Sequence, residues 1–163
     1  MIGLGSFERV TRAAHQWTEE LTADEVDQDK HPFELRNIHP DLPAKVRSLF
    51  DDGYFSEATF EAFKFVENEV KRLGKLRGVT GFAHMMRAFD ESNPSIRLNG
   101  LQSDTDIDEQ RGYRHMFAGA QSGIRNPRGH ETNVAESPDD CLDHLAVASV
   151  LLRKLDGSES GSE

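Results

Sequence analysis

Apolar residues fall three or four positions apart along nearly the whole chain, and nowhere do they alternate over a stretch long enough to build a sheet. That period lines one face of an α-helix. The expected fold is therefore all-α, a bundle of five to six helices. A first amphipathic helix over about residues 5–21 aligns Phe7, Val10, Ala14, Trp17 and Leu21, and an acidic segment to residue 30 breaks it. A second starts near Pro40 and Asp41, turns Leu42, Val46, Leu49 and Phe50 inward, and ends at Gly53, which suits the left-handed C-terminal position. A third, over about 54–73, carries Phe55, Ala58, Ala62, Phe65, Val66 and Val70 and stops at Gly74. A fourth follows Thr80 with Phe82, Met85, Met86 and Phe89; Ile96, Leu98 and Leu101 then read as extended or irregular. A fifth runs over about 105–124, capped by Thr105, with Asp106, Asp108 and Glu109 facing the positive end of its dipole. Pro127 disfavours helix at Asn126, so the residues that follow are expected in a loop. Ser137 and Pro138 open the last helix, 138–155, which buries Leu142, Leu145, Ala146, Val150 and Leu152.

The chain thus divides into an N-terminal helix and acidic linker (1–30), a helical domain (31–156) and a tail (157–163) with nothing to bury, expected to be disordered. At 163 residues this is one domain's worth of core. A single cysteine, Cys141, excludes an intrachain disulfide framework and a cysteine-based zinc site, and is expected as a small buried residue. The longest apolar stretch, 145–152 with Ser149 inside it, is too short to span a bilayer. No secretory signal is visible at the start, so the expected location is cytoplasmic.

Net charge is −10, which by itself argues against a phosphate-rich partner. The average hides two basic tracts. Residues 111–130 hold four arginines and two histidines with no acid, and residues 64–87 hold six bases against two acids. The first tract ends in GAQSGIRNPRGH at 119–130, where an amphipathic helix runs into the expected loop. Arg125 offers a planar fork of donors to a phosphate, His130 can take and return a proton near neutral pH, and Asn126 can orient either. That set suits metal-free attack of a ribose 2′-hydroxyl on its neighbouring phosphate. Arg128, Arg114 and Arg111 are the further candidate RNA contacts, chosen by charge.

Plainer readings stand beside this one. An arginine near a helix C-terminus is an ordinary dipole partner. An arginine and a histidine with four to six residues between them also occur at Arg9/His15 and Arg77/His84. His15 and Trp17 read as packing, His84 as a flank of the core, and His144 as a neighbour of an apolar stripe. A metal set of His130, Glu131 and His144 lacks any spacing such as HExxH, and no metal or other cofactor is expected. Glu67 and Glu69 with Lys71 and Arg72 read as a solvated face, or else as placing one core-side acid behind Arg125. Phe55, Phe60, Phe63 and Phe65 read as core or dimer face.

From about 39 to 156 the sequence resembles the Ymh-like family of prokaryotic hypothetical proteins, within the HEPN superfamily of helical domains. The matching pieces are HP at 39–40, LFDDGYFSEATFEAFKFVENEVK at 49–71, MMRAFD at 85–90, MFAGAQSGIRNPRGH at 116–130 and DHLAVASVLLRKLD at 143–156. GIRNPRGH fits the HEPN signature of an arginine, a polar residue, three further residues and a histidine. The resemblance implies a HEPN-like bundle and a metal-independent endoribonuclease of antiphage defence or a toxin system. It further implies a homodimer with two such segments facing across a shared cleft, RNA as partner, and a sensor or antitoxin protein as a possible second partner. By it Arg125, Asn126 and His130 carry over as catalytic. Two departures mark the chain: DGYF stands where relatives are expected to carry a histidine, and no tyrosine follows His130, so silencing by adenylylation of that tyrosine is a poor guide. The alternative is a non-catalytic helical module that dimerises or binds a partner or nucleotide.

Overall fold

The computed structural model describes residues 30–131 and 134–160, and the chain divides into two units, 1–31 and 32–163. The helix expected over 5–21 lies outside the described residues. The second unit is all-α apart from one two-residue ladder among its described residues. Its elements are α1 (Pro32–Leu35), α2 (Ala44–Asp51), α3 (Phe55–Gly74), α4 (Gly81–Ala88), β1 (Ile96–Arg97), α5 (Asp104–Ala120), a π-helical turn (Gln121–Arg125), α6 (Asn126–His130), α7 (Pro138–Asp156) and β2 (Glu159–Ser160). Because α5, the π turn and α6 follow without a break, the described residues hold six helical runs. None is long and apolar enough to cross a membrane.

α3 is the central helix. Ala58, Ala62, Phe63, Val66 and Val70 are fully buried along it, and it packs against α2, α4, α7 and the π turn. Phe50 links it to the N-terminal elements through rings 5.3 Å from Phe33 and 5.2 Å from Phe55. Phe89 after α4 stacks on Phe117 of α5, centroids 4.4 Å apart. Gln110 is wholly buried yet fully used: its Oε1 accepts from Leu98 N, and its amide donates to the Phe89 and Ile96 carbonyls. It thereby satisfies, from inside the core, backbone groups at Phe89, Ile96 and Leu98 between α4 and α5.

Several boundaries differ from the sequence expectation. Gly53 is left-handed (φ 81) as expected, but the left-handed residue that ends α3 is Lys75 (φ 50), with Gly74 still helical. α5 is capped by Ser103, two residues before Thr105, through its hydroxyl and the Asp106 N–H. Ser137 caps α7 as expected, and Asp140 completes a reciprocal capping box with Pro138 in the first turn. On α7 the buried face is Cys141, Leu142, Leu145, Ala148, Leu151, Leu152 and Leu155, while Val150 is exposed. Phe82 on α4 is exposed as well. The tail expected to be disordered from 157 is paired in part: Glu159 and Ser160 lie antiparallel to Arg97 and Ile96.

Candidate functional site

The GIRNPRGH run is helix, not loop, and Pro127 explains its form. Proline has no N–H, and its ring crowds the carbonyl four residues back, so a regular α-helix cannot run through it unchanged. The chain widens by one residue just before it: Asn126 is helical (φ −63, ψ −43) and donates its N–H to the Gln121 carbonyl, the five-residue step of a π turn. Pro127 then occupies the first turn of α6. Gly129 lets α6 approach α3, since a Cβ there would stand 3.0 Å from the Phe60 ring.

Arg125 leaves this turn toward α3. Its guanidinium carbon is 5.1 Å from the Phe60 ring centroid, its Nη2 is 3.8 Å from Glu67 Oε2, and its Nη1 donates to Asn126 Oδ1 at 3.3 Å. Its Nε is buried without a hydrogen-bond partner. These are loose contacts, and the side chain keeps 26% of its exposure. Glu67 behind it is buried and also accepts from Lys71 Nζ (2.8 Å) and the Gly81 N–H (3.1 Å), which caps α4. Burial works to raise the Glu67 carboxyl; Lys71, the Gly81 N–H and Arg125 outweigh it, and its pKa lies below the ordinary value. Of the two expectations for this acidic pair, Glu67 is the core-side acid beside Arg125, while Glu69 pairs with Arg72 on the surface.

His130 ends α6 exposed to solvent, and neither Arg125 nor Asn126 hydrogen-bonds its ring. The fold therefore joins Arg125 to Asn126 but leaves His130 separate within one chain.

The three arginines chosen as RNA contacts are engaged within the protein. Arg128 turns inward with 8% of its side chain exposed, against Glu136 whose side chain is 1% exposed. Its Nε donates to Glu136 Oε2 (2.8 Å) and its Nη1 to the Ile124 carbonyl (2.7 Å). Arg114 is held by Asp90 (2.9 Å) and Glu91 (2.7 Å), and Arg111 by Glu91 (2.9 Å) and Asp108 (3.0 Å). Arg111 above all, with Arg114, holds the Glu91 carboxyl down at about 2. The tract is acid-free in sequence, but the turn after α4 brings acids to it in space.

Three further histidines separate by role. His39 is buried, with Nε2 on Asp156 (2.9 Å) and Nδ1 accepting from Asp41 N (3.2 Å). His84 is in the core, bonded through Nδ1 to the Val79 carbonyl. His144 pairs through Nδ1 with Glu136 Oε1 at 2.7 Å, which its sequence neighbourhood gave no sign of. Among the described residues no group of three or more His, Cys, Asp or Glu side chains is placed to hold a metal ion. Cys141 is buried, and burial raises its thiol to about 11.

Residues 36–155 match the family described as "Protein of unknown function (Hypoth_ymh)". The chain belongs to the Hypoth_ymh family. The matched span runs from just after α1 to the penultimate residue of α7, so every site residue above lies within the Hypoth_ymh region. No curated protein and no solved structure matches the chain.

Proposed function

We propose that this Hypoth_ymh protein is a HEPN-type endoribonuclease that cleaves RNA without a metal, as a homodimer, in antiphage defence or a toxin system. The observation that carries the reading is the state of Arg125: a guanidinium partly open to solvent, held loosely, with a buried Nε that has no partner. Both polar contacts the guanidinium now makes are long, 3.8 Å to the Glu67 carboxylate and 3.3 Å to Asn126, so a phosphate could engage it at shorter range. Asn126 gives its side-chain oxygen to Arg125, so its amide donors are available to substrate. His130 is solvent-exposed, as proton transfer requires. In the homodimer reading, a second copy facing the first would place His130 and Arg125 of both chains around one linkage. A cytoplasmic location suits that substrate.

In the reaction, O2′ attacks phosphorus, the P–O5′ bond breaks, and the ends are 2′,3′-cyclic phosphate and 5′-hydroxyl. Arg125 stabilises the charge on the phosphorane. The test is end-group analysis of mixed RNAs incubated with the purified protein in a chelator. Cyclic phosphate ends, lost with Arg125→Ala and with His130→Ala, support the reading; intact RNA at all protein concentrations defeats it.

A second reading, a non-catalytic docking module, is favoured by the cleft of about 710 Å³ lined by Leu76, Phe82, Met86 and Arg87, where Phe82 is half exposed. Toxicity on overexpression that survives both substitutions would favour it.

A further inference from the structure

Glu136 sits at the centre of a polar knot behind α6. Its carboxylate accepts from Arg128 Nε (2.8 Å), from the Thr59 hydroxyl of α3 (2.8 Å) and from His144 Nδ1 of α7 (2.7 Å). A second contact to the same ring nitrogen, from Arg128 Nη2, is 3.4 Å long. An arginine only donates, so one atom cannot serve both partners. The shorter bond to a carboxylate prevails, and Nδ1 carries the proton.

That fixes the other ring nitrogen. In the neutral ring, Nδ1–H on Glu136 leaves the lone pair on Nε2, and the side chain is 28% exposed. His39 offers the contrast: both of its nitrogens are spent and its side chain is 4% exposed, as a structural histidine should be. A buried carboxylate behind one nitrogen, with the other nitrogen open, is the arrangement that aims an imidazole for proton transfer. Arg128 lies between Arg125 and His130 on the continuous run of the π turn and α6 and touches the knot, so His144 flanks the run that carries both. The charged groups around the ring are Glu136, Arg128 from α6, and Asp140 one turn earlier on α7.

We infer that His144, aimed by Glu136, is the general base of the cleavage reaction, with His130 as the acid. The inference rests on the ribonuclease reading. Cleavage moves two protons: His144 Nε2 takes the one on O2′ as that oxygen attacks phosphorus, and His130 gives one to O5′ as the P–O5′ bond breaks. Charge and atoms balance, and no further reactant is needed.

The test uses one RNA linkage made in two forms, ordinary and with sulfur in place of O5′. A thiolate leaves without being protonated, so the sulfur form bypasses the acid but not the base. His144→Gln should lose about 100-fold or more on both forms. His130→Gln should lose as much on the oxygen form and recover on the sulfur form. Glu136→Gln should weaken cleavage of both, and nitrogen-15 shifts should show its His144 ring losing the pure Nδ1–H tautomer. His144 is partly exposed, so His144→Gln keeps the Glu136–Arg128 pair and the fold, checked by circular dichroism. If the unaltered protein cleaves RNA and His144→Gln matches it, or if sulfur rescues His144→Gln, the inference fails alone. If the unaltered protein leaves both forms intact, the ribonuclease reading fails and the inference falls with it.

Discussion

Arg125 and Arg128 sit three residues apart on one helical run and live in opposite surroundings. Arg128 is almost wholly buried, with its Nε on Glu136 and its Nη1 on the Ile124 carbonyl at 2.7–2.8 Å. Arg125 rests on a phenylalanine ring, touches its nearest acid only at 3.8 Å, and keeps a buried donor unbonded. Equal charge in sequence thus becomes a brace in one case and, in the other, a loosely held guanidinium that keeps part of its exposure, the group proposed above to take a phosphate. The difference comes from the partner: Glu136 reaches Arg128 from the segment before α7, whereas Glu67 is already occupied by Lys71 and the Gly81 N–H.

The sharpest way to break this contrast is to remove each partner in turn. Arg128→Ala leaves Glu136 charged in a buried place, and stability should fall by about 3–5 kcal/mol in denaturant unfolding. Arg125→Ala should leave the midpoint nearly unchanged and reduce RNA cleavage about 100- to 1,000-fold. If the two variants lose stability equally, the contrast is wrong. Gly129→Ala presses a methyl against the ring that carries Arg125; overpacking should cost about 1–3 kcal/mol, measured by thermal unfolding. Ser137→Ala removes the cap next to Glu136 and should cost about 1 kcal/mol while cleavage persists.

Acid should loosen the pairs built on Glu67 and Glu91. Glu67 and Glu91 both have pKa values below the ordinary 4.5, Glu91 at about 2. A carboxyl lowered on folding adds stability that is fully present above its unfolded value and is lost as pH falls through its folded value. Unfolding midpoints should therefore decline as pH drops from about 4.5 toward 2. Glu67→Gln and Glu91→Gln should each flatten that decline, and a slope left unchanged by both counts against these pairs.

Much of the bundle was legible because its signals are local. The stripe on α3, the left-handed Gly53 and the Ser137–Pro138 start of α7 all follow from neighbours within one turn. What failed depended on distant partners. The pre-proline rule looks one residue back and disfavours helix at Asn126; the π turn over Gln121–Arg125 lets Asn126 stay helical, with its N–H on the Gln121 carbonyl. Charge alone makes Arg128 a candidate RNA contact in sequence, since nothing there ties it to Glu136, or Glu136 to Thr59 seventy-seven positions away. Asp90 and Glu91 reach Arg111 and Arg114 across a turn for the same reason. The β1–β2 ladder joins segments some sixty residues apart, with no alternation long enough to announce it.

The most direct measurement follows the side-chain Nε–H signals of the two arginines by nuclear magnetic resonance while a short 2′-O-methyl oligoribonucleotide is added. That ligand presents phosphates but cannot be cleaved. The Arg125 signal should move with saturation while the Arg128 signal stays in place. A shift at Arg128 with Arg125 unmoved, or no shift at either, contradicts the assignment of Arg125 as the phosphate seat.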